Sequence, residues 1–314
     1  MIQFLSKIAI SAVFLVLFIY VYGSFCNFFF TQDRFLDLSE KKQWVLAQKG
    51  NSVDYAILGS SRAYGAFDMV LLDSLTGKSG INLGSNGSGF KDNYLVLTHF
   101  LKSNSTKELY LQVDMHSLNS KESFSNEFHA FTFMPYWEDE DVKTVLKEEL
   151  PVLDNWVSDV FPEWRYFYFN KYFSPKEIAR KFLMSSGRQD PYSALKGGMS
   201  SSSRSVEVAK VEIALRKAPE FIDQDDWKYL QTIIQLAEKK EIDLKLFTAP
   251  IYLGDHVYLK KAISDLRYVQ IVPDQSIEVN KSLFQDQGHL NNQGRYIFTK
   301  SFFENLDTQK NASL

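Results

Sequence analysis

A chain of 314 residues, 45% hydrophobic and with a formal charge of −3, has ample apolar material for a core and no basic footprint for nucleic acid. Its single cysteine, Cys26, excludes an internal disulfide framework, so any exported part must be held by packing alone. Aromatic residues reach 15%, which suits a large core, a membrane segment or a sugar-binding surface.

Residues 8–30 contain no charged side chain. A helix of about 20 apolar residues crosses the hydrocarbon core of a bilayer, so this run predicts a transmembrane anchor. Lys7 precedes it, and Asp33 and Arg34 follow. Residues 1–7 are expected to form a short cytoplasmic tail, with everything after the anchor on the far side of the membrane. This describes a single-pass protein of the cell membrane, with lipid as its first partner. A cleaved signal peptide is the competing reading, but the run is long for one, and Tyr22-Gly23-Ser24-Phe25-Cys26 is a poor small-residue cleavage site.

Residues 31–50 predict a juxtamembrane linker with a helix over 35–49 ended by Gly50. From residue 51 the pattern is α/β. Strands are expected at 55–58, 80–83, 108–113, 243–248 and 268–272, and helices at 67–75, 90–101, 225–240, 257–265 and 292–303. In the helix over 225–240, Trp227, Leu230, Ile233, Ile234 and Ala237 share one face. Strands alternating with helices imply a mostly parallel five-stranded sheet covered on both faces, an αβα arrangement of three layers. The stretch 118–222 breaks the rhythm and predicts a largely helical insertion into a domain spanning 51–314. Its aromatic run at 164–169 suits an insertion core or a sugar platform, and its serine-rich piece 197–203 suits a loop.

Ligand sites in such sheets lie at the carboxyl ends of the strands, where two motifs fall. Gly59-Ser60-Ser61-Arg62 follows the first strand, so Ser61 stands where a strand turns into a helix. Asp286-Gln287-Gly288-His289 places a carboxylate three residues before an imidazole. A serine hydroxyl needs a base to take its proton; His289 would be that base, with Asp286 holding the useful tautomer. The backbone N–H groups of Ser61 and Gly87 suit an oxyanion. Serine also caps helices, so Ser61 has a purely structural alternative. Arg62 either binds an anionic substrate group or forms a structural ion pair. Asp114 and His116 lie in the turn after the third strand, too few to make a metal site by themselves.

Leu58-Gly59-Ser60-Ser61, Asn82-Leu83-Gly84-Ser85-Asn86-Gly87 and Asp286-Gln287-Gly288-His289-Leu290-Asn291 resemble the first, second and last sequence blocks of the SGNH (GDSL-type) hydrolases, over residues 53–116 and 243–305. The resemblance implies an SGNH/flavodoxin-like fold with Ser61 as nucleophile, Gly87 as an oxyanion donor and Asp286 with His289 completing a triad. Two positions depart from it. Ser60 replaces an acidic residue, as in membrane-anchored branches similar to the D-alanyl transfer protein DltD and to alginate O-acetylation proteins. Val113-Asp114-Met115-His116 stands where a third block supplies an asparagine, so either His116 replaces that donor or the activity differs from simple ester hydrolysis. By this resemblance the chain is a serine acyltransferase acting on acyl, chiefly O-acetyl, groups of a cell-surface polysaccharide, beside a multipass membrane acyltransferase and without metal or organic cofactor. A carbohydrate esterase with the same triad, or a non-catalytic glycan-binding subunit, are the alternatives.

Overall fold

The computed structural model describes residues 2–31, 40–119, 129–168, 190–199, 221–254, 268–271 and 273–312, together with 256, 259, 261, 263 and 266. The chain divides into two compact units, one of Met1–Gln43 with His129–Gln189 and one of Trp44–Phe128 with Asp190–Leu314.

The chain opens with α1 (Ile2–Thr31), among the described residues the one helix long and apolar enough to cross a membrane. It starts before the expected span, since Gln3, Ser6 and Lys7 continue the helical turn. Of the expected juxtamembrane helix the described part is α2 (Lys41–Leu46); residues 32–39 lie outside the described residues.

The α/β expectation holds: the strands form a parallel sheet. β1 (Ser52–Leu58) is buried from Tyr55 to Leu58, the continuous apolar run of a strand covered on both faces. α3 (Ser61–Ala66) and α4 (Met69–Thr76) follow, separated by the extended Phe67. The expected helix at 67–75 therefore begins two residues late. Asp68 caps α4 by accepting from the Leu71 N–H at 3.0 Å, and Gly77 ends it in the left-handed conformation at φ 66°. β2 (Gly80–Asn82), α5 (Phe90–Ser103) and β3 (Ser105–Gln112) come next. β3 starts three residues before the expected strand, because Ser105 and Thr106 pair with Ser52 and Val53 although neither carries an apolar signal.

After β3 come the short helices α6 (Ala130–Phe133), α7 (Glu140–Glu148), α8 (Val152–Val160) and α9 (Trp164–Tyr168), all in the first unit. Phe133, Met134, Trp137, Val145, Leu146 and Tyr166 make their core. Arg165 is buried among them: it donates to the Met134 carbonyl at 2.9 Å, and its guanidinium lies 4.5 Å from the Tyr166 ring centre and 5.5 Å from that of Trp137. The described part of the aromatic run thus packs within this unit. Most of the serine-rich piece lies outside the described residues. Residues 190–199 belong to the second unit, where the Lys196 carbonyl accepts from the Asn82 N–H at 2.9 Å.

The chain leaves the sheet at Leu118 and Asn119 and returns beside them. The Asp223 N–H donates to the Leu118 carbonyl at 2.8 Å, and the Asn119 amide to the Phe221 carbonyl at 3.3 Å. α10 (Gln224–Lys239) then buries Tyr229, Leu230, Ile233, Ile234 and Ala237. Trp227 is only partly buried, because it sits at the flank of that stripe, and Tyr229 takes the place expected for it. β4 (Asp243–Phe247) and β5 (Val269–Ile271) bring the sheet order to β2-β1-β3-β4-β5, every neighbouring pair parallel. The expected helix at 257–265 falls largely outside the described residues.

The end of the chain adds α11 (Gln275–Glu278), an antiparallel hairpin of β6 (Phe284–Asp286) and β7 (His289–Leu290), and α12 (Asn292–Ala312), which runs beyond the expected 303. The hairpin was not expected, since two or three residues are too few to show an alternating pattern. α12 docks through aromatic rings: the Phe67 centroid is 4.8 Å from that of Phe302, 5.3 Å from Phe298 and 5.2 Å from Phe247. All four are fully buried. Phe302→Ala is expected to cost about 3–5 kcal/mol, the range for truncating a buried phenylalanine. Denaturant unfolding of the detergent-solubilised full chain measures it.

Candidate active site

The turn after β1 is built for close approach. Gly59 has φ 157°, and a Cβ there would come within 2.6 Å of the Gln112 side chain and 2.8 Å of Ala63 Cβ, so only glycine fits. Ser60 follows in extended conformation and is the N-cap of α3, its Oγ accepting from the Arg62 N–H at 3.3 Å. Capping therefore falls to Ser60. Ser61, the first residue of α3, has its hydroxyl free for another partner.

That partner arrives on the hairpin. Phe284 and Leu290 are buried and pair across it, which anchors its base in the core. The turn, Gln287-Gly288, is held at its tip by the Tyr252 N–H donating to the Gln287 carbonyl at 2.8 Å. Asp286 and His289 face each other across the strands. His289 Nδ1 lies 2.8 Å from Asp286 Oδ1, and its Nε2 lies 2.8 Å from Ser61 Oγ.

Burial works to raise the Asp286 pKa. The His289 hydrogen bond and charge, with the Gly288 and His289 N–H groups, outweigh it and hold the carboxyl below its ordinary range. An ionised carboxylate accepts only, so in the neutral imidazole Nδ1 carries the proton and Nε2 is left to accept from the serine hydroxyl. The three side chains form a line along which a serine proton can move to a ring nitrogen. The Asp286 side chain is 52% exposed and that of His289 29%, so the line opens to solvent.

The other expected site residues divide. Arg62 and Asp114 pair with each other, Nη2 to Oδ1 at 2.5 Å, both buried. Asp114 also accepts from Gln112 Nε2 at 2.5 Å and from the Ser117 N–H at 2.9 Å, which occupies both carboxylate oxygens. Burial pushes its pKa up, but Arg62, His116, Gln112 and Ser117 together pull it below the usual range. His116 is part-buried one turn on. Gly87 sits in the loop after β2 at φ 67°, and that loop is tied to the turn after β1 by the Ser85 N–H donating to the Gly59 carbonyl at 3.2 Å. Among the described residues no three His, Cys, Asp or Glu side chains gather as a metal site needs.

Sequence reasoning missed Gln112. Its Oε1 accepts from the Ser60 N–H, the Ser60 hydroxyl and the Ala63 N–H, each at 3.0 Å, while its Nε2 donates to Asp114. It binds the turn after β1 to the Asp114 turn. The available signal was a fully polar side chain at the buried end of an apolar strand. Arg295 was missed too: it donates to the Gly65 carbonyl at 3.0 Å, joining α12 to the end of α3.

No protein-family model matches the chain, and no curated protein is similar enough to it to show a family.

Removing the Asp114 carboxylate leaves the Arg62 guanidinium buried without its counter-charge. Asp114→Ala is therefore expected to destabilise the fold by about 3–5 kcal/mol. The sign with pH follows from the lowered value. Stabilisation by Asp114 is full above the unfolded aspartate range and disappears as pH falls through the depressed folded value. Denaturation midpoints measured from neutral to strongly acid pH should drop more steeply on the acid side in the native chain than in Asp114→Asn.

Proposed function

We propose that this chain is a membrane-anchored, extracytoplasmic serine acyltransferase that carries acyl groups, chiefly acetyl, to a cell-surface polysaccharide through an acyl-Ser61 intermediate. The observation that carries the reading is the Asp286–His289–Ser61 line, two contacts of 2.8 Å of which the second bridges 228 residues of sequence. The resemblance of three sequence blocks to the SGNH hydrolases supports it, and the apolar length of α1 supports the anchor. The finer fold belongs to the same proposal: three αβα layers around five strands, of flavodoxin-like type.

In this mechanism Ser61 Oγ attacks the carbonyl carbon of an acyl ester or thioester while His289 Nε2 takes the hydroxyl proton. Asp286 stays ionised and stabilises the imidazolium that forms. The N–H groups of Ser61 and Gly87 receive the oxyanion. The imidazolium returns the proton to the leaving group, and the acyl group remains on Ser61. A sugar hydroxyl, deprotonated by His289, then attacks the acyl-serine and carries the group away. Water in place of the sugar gives an esterase. A multipass membrane acyltransferase is the proposed source of the acyl donor.

The full chain in detergent should be labelled by a serine-directed fluorophosphonate. Ser61→Ala is expected to abolish labelling, and His289→Ala to slow it by at least about 10³-fold, as in other serine triads. An unlabelled native chain would sink the enzymatic reading. With an activated acetyl ester as donor, acetylated product that appears only when soluble glycan is added identifies the transferase. Release of acetate unaffected by glycan identifies the esterase.

A further inference from the structure

α8 is amphipathic the wrong way round for a surface helix. Val152, Leu153, Trp156 and Val160 fall within one third of its circumference and are 89%, 71%, 65% and 69% exposed, whereas Ser158, on the opposite side, is fully buried. Its polar side chains are engaged: Asp154 and Asn155 are half-buried, and Asp159 is exposed at the edge of the apolar face. Asp159 pairs with Lys147 of α7 at 2.6 Å, Asn155 donates to the Lys147 carbonyl at 3.4 Å, and Asp154 accepts from the Trp164 indole at 2.8 Å. A contiguous apolar face of this kind marks a contact surface.

The same unit supplies the reason for it. The segment that follows α8 is packed along the second half of α1. The Phe161 ring is 6.3 Å from Tyr20, and Phe167 is 5.1 Å from Tyr22 and 6.4 Å from Phe18. Glu163 lies so close to Gly23 that a Cβ there would come within 2.4 Å of it. Arg165 and Tyr166 both donate to Asn27 Oδ1, at 2.8 and 2.9 Å. A run of about 20 residues spans the hydrocarbon core, so whether α1 enters at Ile2 or at Ile8, its outer boundary falls between Val21 and Asn27. α8 ends one residue before Phe161 and is therefore held at that boundary. Tyr20, Tyr22, Trp156 and Trp164 supply the amphipathic rings favoured at such a level.

We infer that α8 lies in the membrane interface, with Val152, Leu153, Trp156 and Val160 inserted among the lipid headgroups and upper acyl chains. It is a second membrane contact, which fixes how the first unit is tilted against the bilayer. The helix carries Asp154 and Asp159 and no Lys or Arg, so the contact is apolar and does not depend on anionic lipid. The inference rests on the reading of α1 as a membrane anchor.

The test uses the full chain with Cys26→Ala, reconstituted into zwitterionic phosphatidylcholine vesicles containing lipids brominated at shallow or deep positions. A fluorescent label is placed in turn at Trp156→Cys, Val160→Cys and Leu15→Cys in the anchor, with the thiol-blocked label free in buffer as the unquenched reference. Labels at 156 and 160 are expected about 5–10 Å below the headgroup level, the depth of interfacial helices. Leu15→Cys should lie deeper. If Leu15→Cys is quenched while both α8 labels behave like the free label, the inference fails and the anchor stands. If Leu15→Cys is also untouched, the anchor reading fails and takes the inference with it. α8 labels shielded from a water-soluble quencher but untouched by bromolipid mean that protein, such as a second copy, covers the face, which also overturns it.

Discussion

The proposed chemistry depends on the docking of α12. His289 sits immediately before that helix, and nothing local to the sequence brings it near Ser61, 228 residues upstream. The distance is closed by hydrophobic packing, in which Phe298 and Phe302 enter the cluster around Phe67 and Phe247. Directional bonds then set the register. Arg295 holds the Gly65 carbonyl, and Thr299 Oγ1 accepts from the Asp68 N–H at 3.0 Å. Both bonds reach the segment that begins with Ser61. Packing thus gathers the two halves of the site, and two polar contacts align them.

Beneath the site lies a second, polar layer. Gln112 satisfies three donors of the turn after β1 and hands its own amide to Asp114, which is neutralised by Arg62. In a dry interior the members of such a network depend on one another. One donor stays open: Arg62 Nη1 is buried with no hydrogen-bond partner among the described residues. The network also ties the Asp114 turn to the turn that carries Ser61.

Much of this was legible in the sequence, for definite reasons. β1 and α10 were readable because burial on both faces or along one stripe leaves an unbroken or periodic apolar pattern. Ser61, Asp286 and His289 could be singled out by residue type and spacing; their meeting at 2.8 Å is a property of the fold. Boundaries were less legible: the start of β3 is held by ladder bonds that a Ser-Thr-Lys segment does not advertise. The β6–β7 hairpin was too short to show a period. For Arg62 the sequence left open a structural ion pair or an anionic substrate group, and for Asp114 it named no such partner; their pairing rests on proximity in space. Gln112 and Arg295 escaped because glutamine and arginine are ordinarily surface residues; their roles arise from what the fold places around them.

The separation of 228 residues between Ser61 and His289 has a consequence for folding. Closing so long a loop is entropically costly, so this contact forms only once long-range packing has been established. In the proposed chemistry the hydroxyl stays inert until Phe298 and Phe302 have seated themselves beside Phe67 and Phe247.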